Sequence, residues 1–171
     1  MKNKISPILS VLMVFAAAVS LTACGVELES RTISGVTLSV PSDFNEFKDQ
    51  SGIQTATDED STATILISAK GDAQGIKASD YDQNTYQQAY LGSYKDVSFE
   101  KFDNAATLDG KTAIYAQIKA TNSKDVKFVM HNYIVFFDDG NCQTVSLGYA
   151  DDGDTSLKSN IDEVLKSIKI S

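Results

Sequence analysis

Between residues 126 and 137 the apolar side chains occupy both faces of a single extended stretch. Phe128, Met130, Ile134 and Phe136 fall on one face, and Val129, Tyr133, Val135 and Phe137 on the other. A strand that is apolar on both faces must be covered on both sides, so the rest of the chain has to supply a layer against each face of the sheet containing it.

The flanking sequence builds that sheet. Asp109 and Gly110 make a hairpin signal between Val97 and Phe99 on one side and Ile114, Ala116 and Ile118 on the other. Residues 138–141 turn the chain into Val145, Leu147 and Tyr149, completing an antiparallel meander of three long strands. Upstream, Val36, Leu38 and Val40 alternate as a strand ended by Pro41, Ser42 and Asp43, with Phe44 and Phe47 covering the core edge. Ala63, Ile65, Ile67 and Ala69 form another. The polar run 51–61, acidic at Asp58, Glu59 and Asp60, reads as a loop.

Two segments have helical spacing. One starts at Ser79 as N-cap, with Asp82 three residues on, and places Tyr86, Ala89, Tyr90 and Ser93 on one face. The other carries Leu157, Ile161, Val164, Leu165 and Ile168. These elements predict an α/β (α+β) domain, an antiparallel sheet with a helix layer on each face.

The N-terminus predicts a location. Lys2 and Lys4 precede an uncharged apolar run over residues 8–21, which is too short for a span of about 20 residues and has the anatomy of an export signal. The following Leu21, Thr22, Ala23 and Cys24 resemble the lipobox of bacterial lipoproteins. That resemblance implies cleavage between Ala23 and Cys24 and a diacylglyceryl group on the Cys24 thiol. The expected organisation is a signal peptide at 1–23, a lipidated cysteine and tether at 24–30, and one domain at 31–171, held at the extracytoplasmic face of the cell membrane. A six-residue tether reaches about 20 Å at ~3.5 Å per residue, so the domain stays close to the bilayer.

Removing residues 1–23 leaves 148 of the 171 residues, enough for one domain. The formal charge of that remainder is −10, which disfavours nucleic acid and anionic headgroups as partners. With Cys24 lipidated, Cys142 has no intrachain partner, so no structural disulfide is expected and Cys142 reads as a small buried thiol.

The chain also resembles the PsbP-like family, named for a subunit of the photosystem II oxygen-evolving complex, whose members also occur as small bacterial lipoproteins. The resemblance rests on Val40, Pro41, Ser42, Asp43 and Phe44 after the opening strand, on the helix and long meander, and on the closing helix from Ile161 to Ile168 that runs into Lys169 and Ile170. It covers about residues 31–171 and implies a PsbP-like α/β/α sandwich. Photosynthetic members help retain calcium and chloride at a manganese cluster, but no residue set here matches a metal-binding motif, so the resemblance implies the fold and not that function.

Catalytic signals are sparse. His131 is the single histidine, which excludes a multi-histidine metal site, and no Gly-x-Ser-x-Gly elbow, phosphate loop or paired-cysteine motif occurs. The acidic clusters around Gly140 and Gly153 lack the spacing of a calcium loop and read as turns. Four of the seven tyrosines, Tyr81, Tyr86, Tyr90 and Tyr94, crowd one segment. Tyr86 and Tyr90 are expected on the core, with Tyr81 and Tyr94 as the candidate interaction residues. The expected function is a non-enzymatic accessory or protein-interaction lipoprotein without cofactor or metal, meeting the membrane through Cys24 and an envelope protein through its aromatic surface. The alternative is a small-ligand or ion binder using a cleft between the first helix and the sheet.

Overall fold

A computed structural model describes residues 26–171. The signal peptide 1–23, the cleavage site at Ala23 and Cys24, and the lipidation of Cys24 lie outside the described residues. In chain order the elements are β1 (Leu28–Ile33), β2 (Val36–Pro41), β3 (Lys48–Gln50), β4 (Ile53–Thr57), β5 (Ala63–Ser68), β6 (Gly71–Asp72), α1 (Gln83–Tyr90), β7 (Lys95–Leu108), β8 (Lys111–Thr121), β9 (Lys127–Phe136), β10 (Asn141–Ala150), α2 (Ser156–Ser159), α3 (Ile161–Ser167) and β11 (Lys169–Ile170). The large antiparallel sheet runs β3-β4-β5-β10-β9-β8-β7, with β6 also paired to β10, and a second sheet runs β1-β2-β11.

β9 lies inside the large sheet between β8 and β10, as its two-sided pattern requires. Its face carrying Val129 and Val135, here the first face, joins Ile65, Ile67, Val145 and Leu147 in a core closed by Val36, Leu38 and Val40 of β2 and by Leu157, Val164 and Ile168 of the C-terminal segment. Most of these side chains are fully buried, each contributing about 1.5–3 kcal/mol against exposure. The second face is covered over β7, β8 and β9 by α1, which inserts Tyr86 and Leu91 against Ile114, Ala116, Ile118 and Ile134.

The protein is therefore sheet-dominated, and its cover differs from the expected pair of helix layers. The first face is closed jointly by the small sheet and the short helices α2 and α3, and the second by eight-residue α1. The long meander has four strands, β7 to β10, rather than three. The run 51–61 contains β4, which pairs with β3 through the two-residue turn Ser51–Gly52. Both turn residues have positive φ, 57° and 85°, the geometry that matches the twist of a hairpin. The expected tether is shortened because β1 begins at Leu28, pairing with Pro41. The C-terminal helix is interrupted at Asn160, which serves as C-cap of α2 and N-cap of α3.

Candidate interaction face

α1 covers the second sheet face around Ile114, Ile118 and Ile134 and leaves an open trough over β5, β9 and β10 among the described residues. Its N-cap is Asp82 rather than Ser79: the Asp82 carboxylate accepts from the Thr85 amide at 2.8 Å while Thr85 Oγ1 accepts from the Asp82 amide at 2.8 Å. This capping exchange satisfies two backbone donors at once and holds the Asp82 carboxyl below the ordinary carboxylate range. Residues Ala78–Asp80 form a 3-10 turn before the helix, so Tyr81 precedes α1 and Tyr94 follows it.

The tyrosines divide accordingly. Tyr86 is fully buried, edge-on to Phe99 and Phe102, and its hydroxyl bonds the Asn132 side chain on β9. Burial pushes its pKa up to about 12. Tyr90, expected on the core, is 43% exposed, and Tyr81 stacks beside it with their hydroxyls 3.0 Å apart. Tyr94, at the other end of α1, packs edge-on to Phe128 at 5.1 Å. The two candidate interaction residues thus stand at opposite ends of the helix and do not converge on one site. Tyr86 and Leu91 fill most of the space between α1 and the sheet, and the expected cleft is reduced to a cavity of about 120 Å³ where Tyr81 and Tyr90 face Ile134, Phe136 and Cys142.

Beyond the Tyr94–Phe128 pair no other described residue covers the sheet. Thr64 and Leu66 of β5, Phe128 and Met130 of β9, and Ser146 and Gly148 of β10 line an open trough of about 430 Å³, with Val126 at its rim. Gly148 lies at the floor, paired with Thr64 on one side and Met130 on the other. Its φ is not positive, and a Cβ placed there would meet nothing nearer than the Val129 carbonyl oxygen at 3.8 Å. Neither backbone geometry nor crowding calls for glycine, and glycine in a strand marks a place where another group can approach the backbone closely. A lone glycine in the Val145–Tyr149 alternation was the available sequence signal. The trough remained hidden because β5 and β10 are about eighty residues apart in the chain.

The first face holds the main buried polar constellation. His131 Nδ1 lies 2.9 Å from the Tyr115 hydroxyl and Nε2 lies 3.3 Å from the Tyr149 hydroxyl. In a neutral imidazole one nitrogen donates and the other accepts, and the two hydroxyls satisfy either arrangement. Burial pulls the His131 pKa below its ordinary value and pushes Tyr115 up to about 12. The histidine is thereby a satisfied core group, with no nucleophile bonded to it. Cys142 is half-buried, and burial raises its pKa, which disfavours the reactive thiolate. Among the described residues no group of three or more His, Cys, Asp or Glu side chains is placed to hold a metal ion. In the turn around Gly140 the Asp139 carboxylate accepts from the Asn141 amide at 3.0 Å.

No known protein family and no curated protein matches the chain by sequence. Solved structures do match it in shape. Cyanobacterial PsbP (CyanoP) from Synechocystis aligns with TM-score 0.57 at 17% identity over 88% of this chain and 99% of its own. The Saccharomyces cerevisiae Ran-binding protein Mog1p aligns with TM-score 0.55 at 10% identity, covering 85% and 96%. LpqN, involved in cell envelope biogenesis of Mycobacterium tuberculosis, aligns with TM-score 0.51 at 16% identity, covering 86% and 92%. At these identities the likeness is one of fold: the domain has the PsbP/Mog1-like architecture.

Proposed function

We propose that this protein is a lipid-anchored, extracytoplasmic interaction module without catalytic activity, which meets an envelope protein through the uncovered part of its sheet. The observation that supports this most is the open trough itself, where Leu66, Phe128 and Met130 stand half-buried on a face that the helices among the described residues leave bare. Apolar side chains on an uncovered face mark a surface awaiting a partner. Mog1 is described as Ran-binding and LpqN as involved in envelope biogenesis, so this fold serves binding and envelope roles in other proteins.

The anchor reading adds an orientation. The Ser42 amide donates to the Glu27 carbonyl at 2.8 Å, fixing the incoming chain beside Phe44, which bridges Asp58. Chain entry and the trough's end at Ser61 and Thr62 therefore share one end of the molecule. With lipid on Cys24, only a few residues separate the bilayer from this end. Its exposed Glu59, Asp60, Asp152 and Asp154 are repelled by anionic headgroups within a Debye length of about 8 Å. The domain then stands off the lipid surface and presents its open face to protein.

The test is photo-crosslinking in living cells, with a benzophenone amino acid at Leu66 or Phe128 on the open face and at Glu163 on the exposed side of α3. The expected result is a discrete protein adduct from the open face alone. Absence of any adduct, or equal adducts from Glu163, contradicts the reading. Cys24→Ser is expected to abolish fatty-acid labelling, and continued labelling contradicts the anchor.

A further inference from the structure

We infer that the occupant of the trough is a basic protein segment that seats a large apolar side chain over Gly148; this rests on the interaction reading above and specifies the partner's chemistry. The trough walls are apolar or aromatic at Leu66, Phe128, Met130 and Tyr94. Three loops surround its open end, and acids dominate them. The β4–β5 turn presents exposed Glu59 and Asp60, the β8–β9 turn Asp125, and the segment after β10 Asp151, Asp152 and Asp154. The lysines nearby are partly engaged: Lys95 pairs with Asp125 at 3.1 Å, and the Lys158 ammonium donates to the Asp151 and Gly153 carbonyls. Lys124 and Lys127 remain, exposed, on and just after the β8–β9 turn, against six acids on the three loops.

One acid of the β4–β5 turn is structural. Asp58 is buried and accepts from the Thr62 amide at 2.7 Å, the Thr62 hydroxyl at 2.6 Å and the Ala63 amide at 2.9 Å. Those bonds fix the turn that carries exposed Glu59 and Asp60 next to Ser61 and Thr62 at the trough's end. An occupant therefore meets the apolar side chains of Leu66, Phe128 and Met130 around Thr64, Ser146 and the Gly148 backbone, bounded by negative charge. Complementary potentials select a cationic segment, because like charge placed at this rim is repelled. At the floor, the bare Gly148 backbone leaves depth for a side chain such as Phe or Leu, the kind of central anchor around which binding energy concentrates.

The probe is a fluorescent peptide, Gly-Lys-Lys-Phe-Lys-Lys-Gly, compared with its Glu-for-Lys counterpart by fluorescence anisotropy on the folded domain. The basic peptide is expected to bind at least about tenfold more tightly, and raising salt from 0.1 to 1 M, which shortens the Debye length from about 10 to 3 Å, is expected to erase the difference. Gly148→Trp fills the floor at a position where an added Cβ stays in ordinary contact, 3.8 Å from the Val129 carbonyl oxygen, and the trough is open above it, so it is expected to fold and to lose binding at least about tenfold. The triple variant Glu59→Gln, Asp60→Asn, Asp152→Asn changes exposed charges alone and is expected to lose the preference while keeping its melting temperature. Equal binding of both peptides, no binding of either, or undiminished binding to Gly148→Trp overturns the inference. Sequencing the peptide crosslinked to the Leu66 probe separates the two levels. An acidic adduct refutes the basic occupant and leaves the interaction module standing, whereas no adduct refutes both.

Discussion

The two faces of one sheet differ most sharply across a single register step. Leu147 on β10 pairs with Ile65 and points into the first-face core, fully buried. Leu66 on β5 pairs with Ser146 and points the other way, onto the bare face, half-buried. The first face is aliphatic against β2, α2 and α3, which seal it, and carries the buried His131, Tyr115 and Tyr149 as hydrogen-bonded partners of one another. The second is aliphatic and aromatic only beneath α1, and elsewhere becomes Thr64, Ser146 and Gly148 around Leu66, Phe128 and Met130. The lesson is a division of labour within a strand: one side of β5 and β10 stabilises the domain, while the other is left available.

That division predicts a graded series. Leu147→Ala is expected to cost about 2–5 kcal/mol, read as a lowered urea midpoint at unchanged slope; a cost below about 1 kcal/mol would mean that the first face is not the sealed core. Tyr86→Phe removes the hydroxyl partner of the buried Asn132 amide and is expected to cost about 1–3 kcal/mol. An unchanged midpoint there would show that the seam under α1 is already hydrated.

The third effect is smaller and depends on pH. Burial lowers the His131 pKa, so between about pH 6.5 and its depressed folded value the unfolded chain binds a proton that the native protein refuses. Stability attributable to His131 is complete above pH 6.5, falls as pH drops through that window, and changes no further below it. His131→Gln, which keeps hydrogen bonds to Tyr115 and Tyr149 within reach, is expected to flatten the midpoint across that window in denaturation series at stepped pH. Losses from Asp82 and Asp109, whose carboxyls lie below their ordinary 3.8, begin only at lower pH. An equal slope in the variant would assign the acid sensitivity elsewhere.

What sequence reasoning could read follows from how local each signal is. The two-sided pattern of β9 and the Asp109–Gly110 hairpin are written in adjacent residues, and both appear as expected. β3 and β4 are polar strands at a sheet edge, Lys48–Gln50 and Ile53–Thr57, with no apolar alternation to reveal them. Leu28 joins β1 because a partner strand captures it, which no local propensity announces. Asn160 divides the C-terminal helix by capping both halves, although the apolar stripe reads continuously through it. The tyrosine segment was legible as a cluster, yet its partition into buried Tyr86 and exposed Tyr90 depends on where Asp82 starts the helix. The trough was least legible, since it joins β5 to the distant β9–β10 hairpin and its floor is a residue without a side chain.

The most direct test of the division between faces is Leu66→Asp, followed by melting temperature and by crosslinking yield from the Phe128 probe. Because Leu66 faces the open trough, the account predicts a shift of no more than about 2–4 °C, equivalent to roughly 1 kcal/mol in a domain of this size, together with loss of the partner adduct. A fall in melting temperature as large as that of Leu147→Asp, or an undiminished adduct, would contradict the claim that one face builds the fold and the other receives a partner.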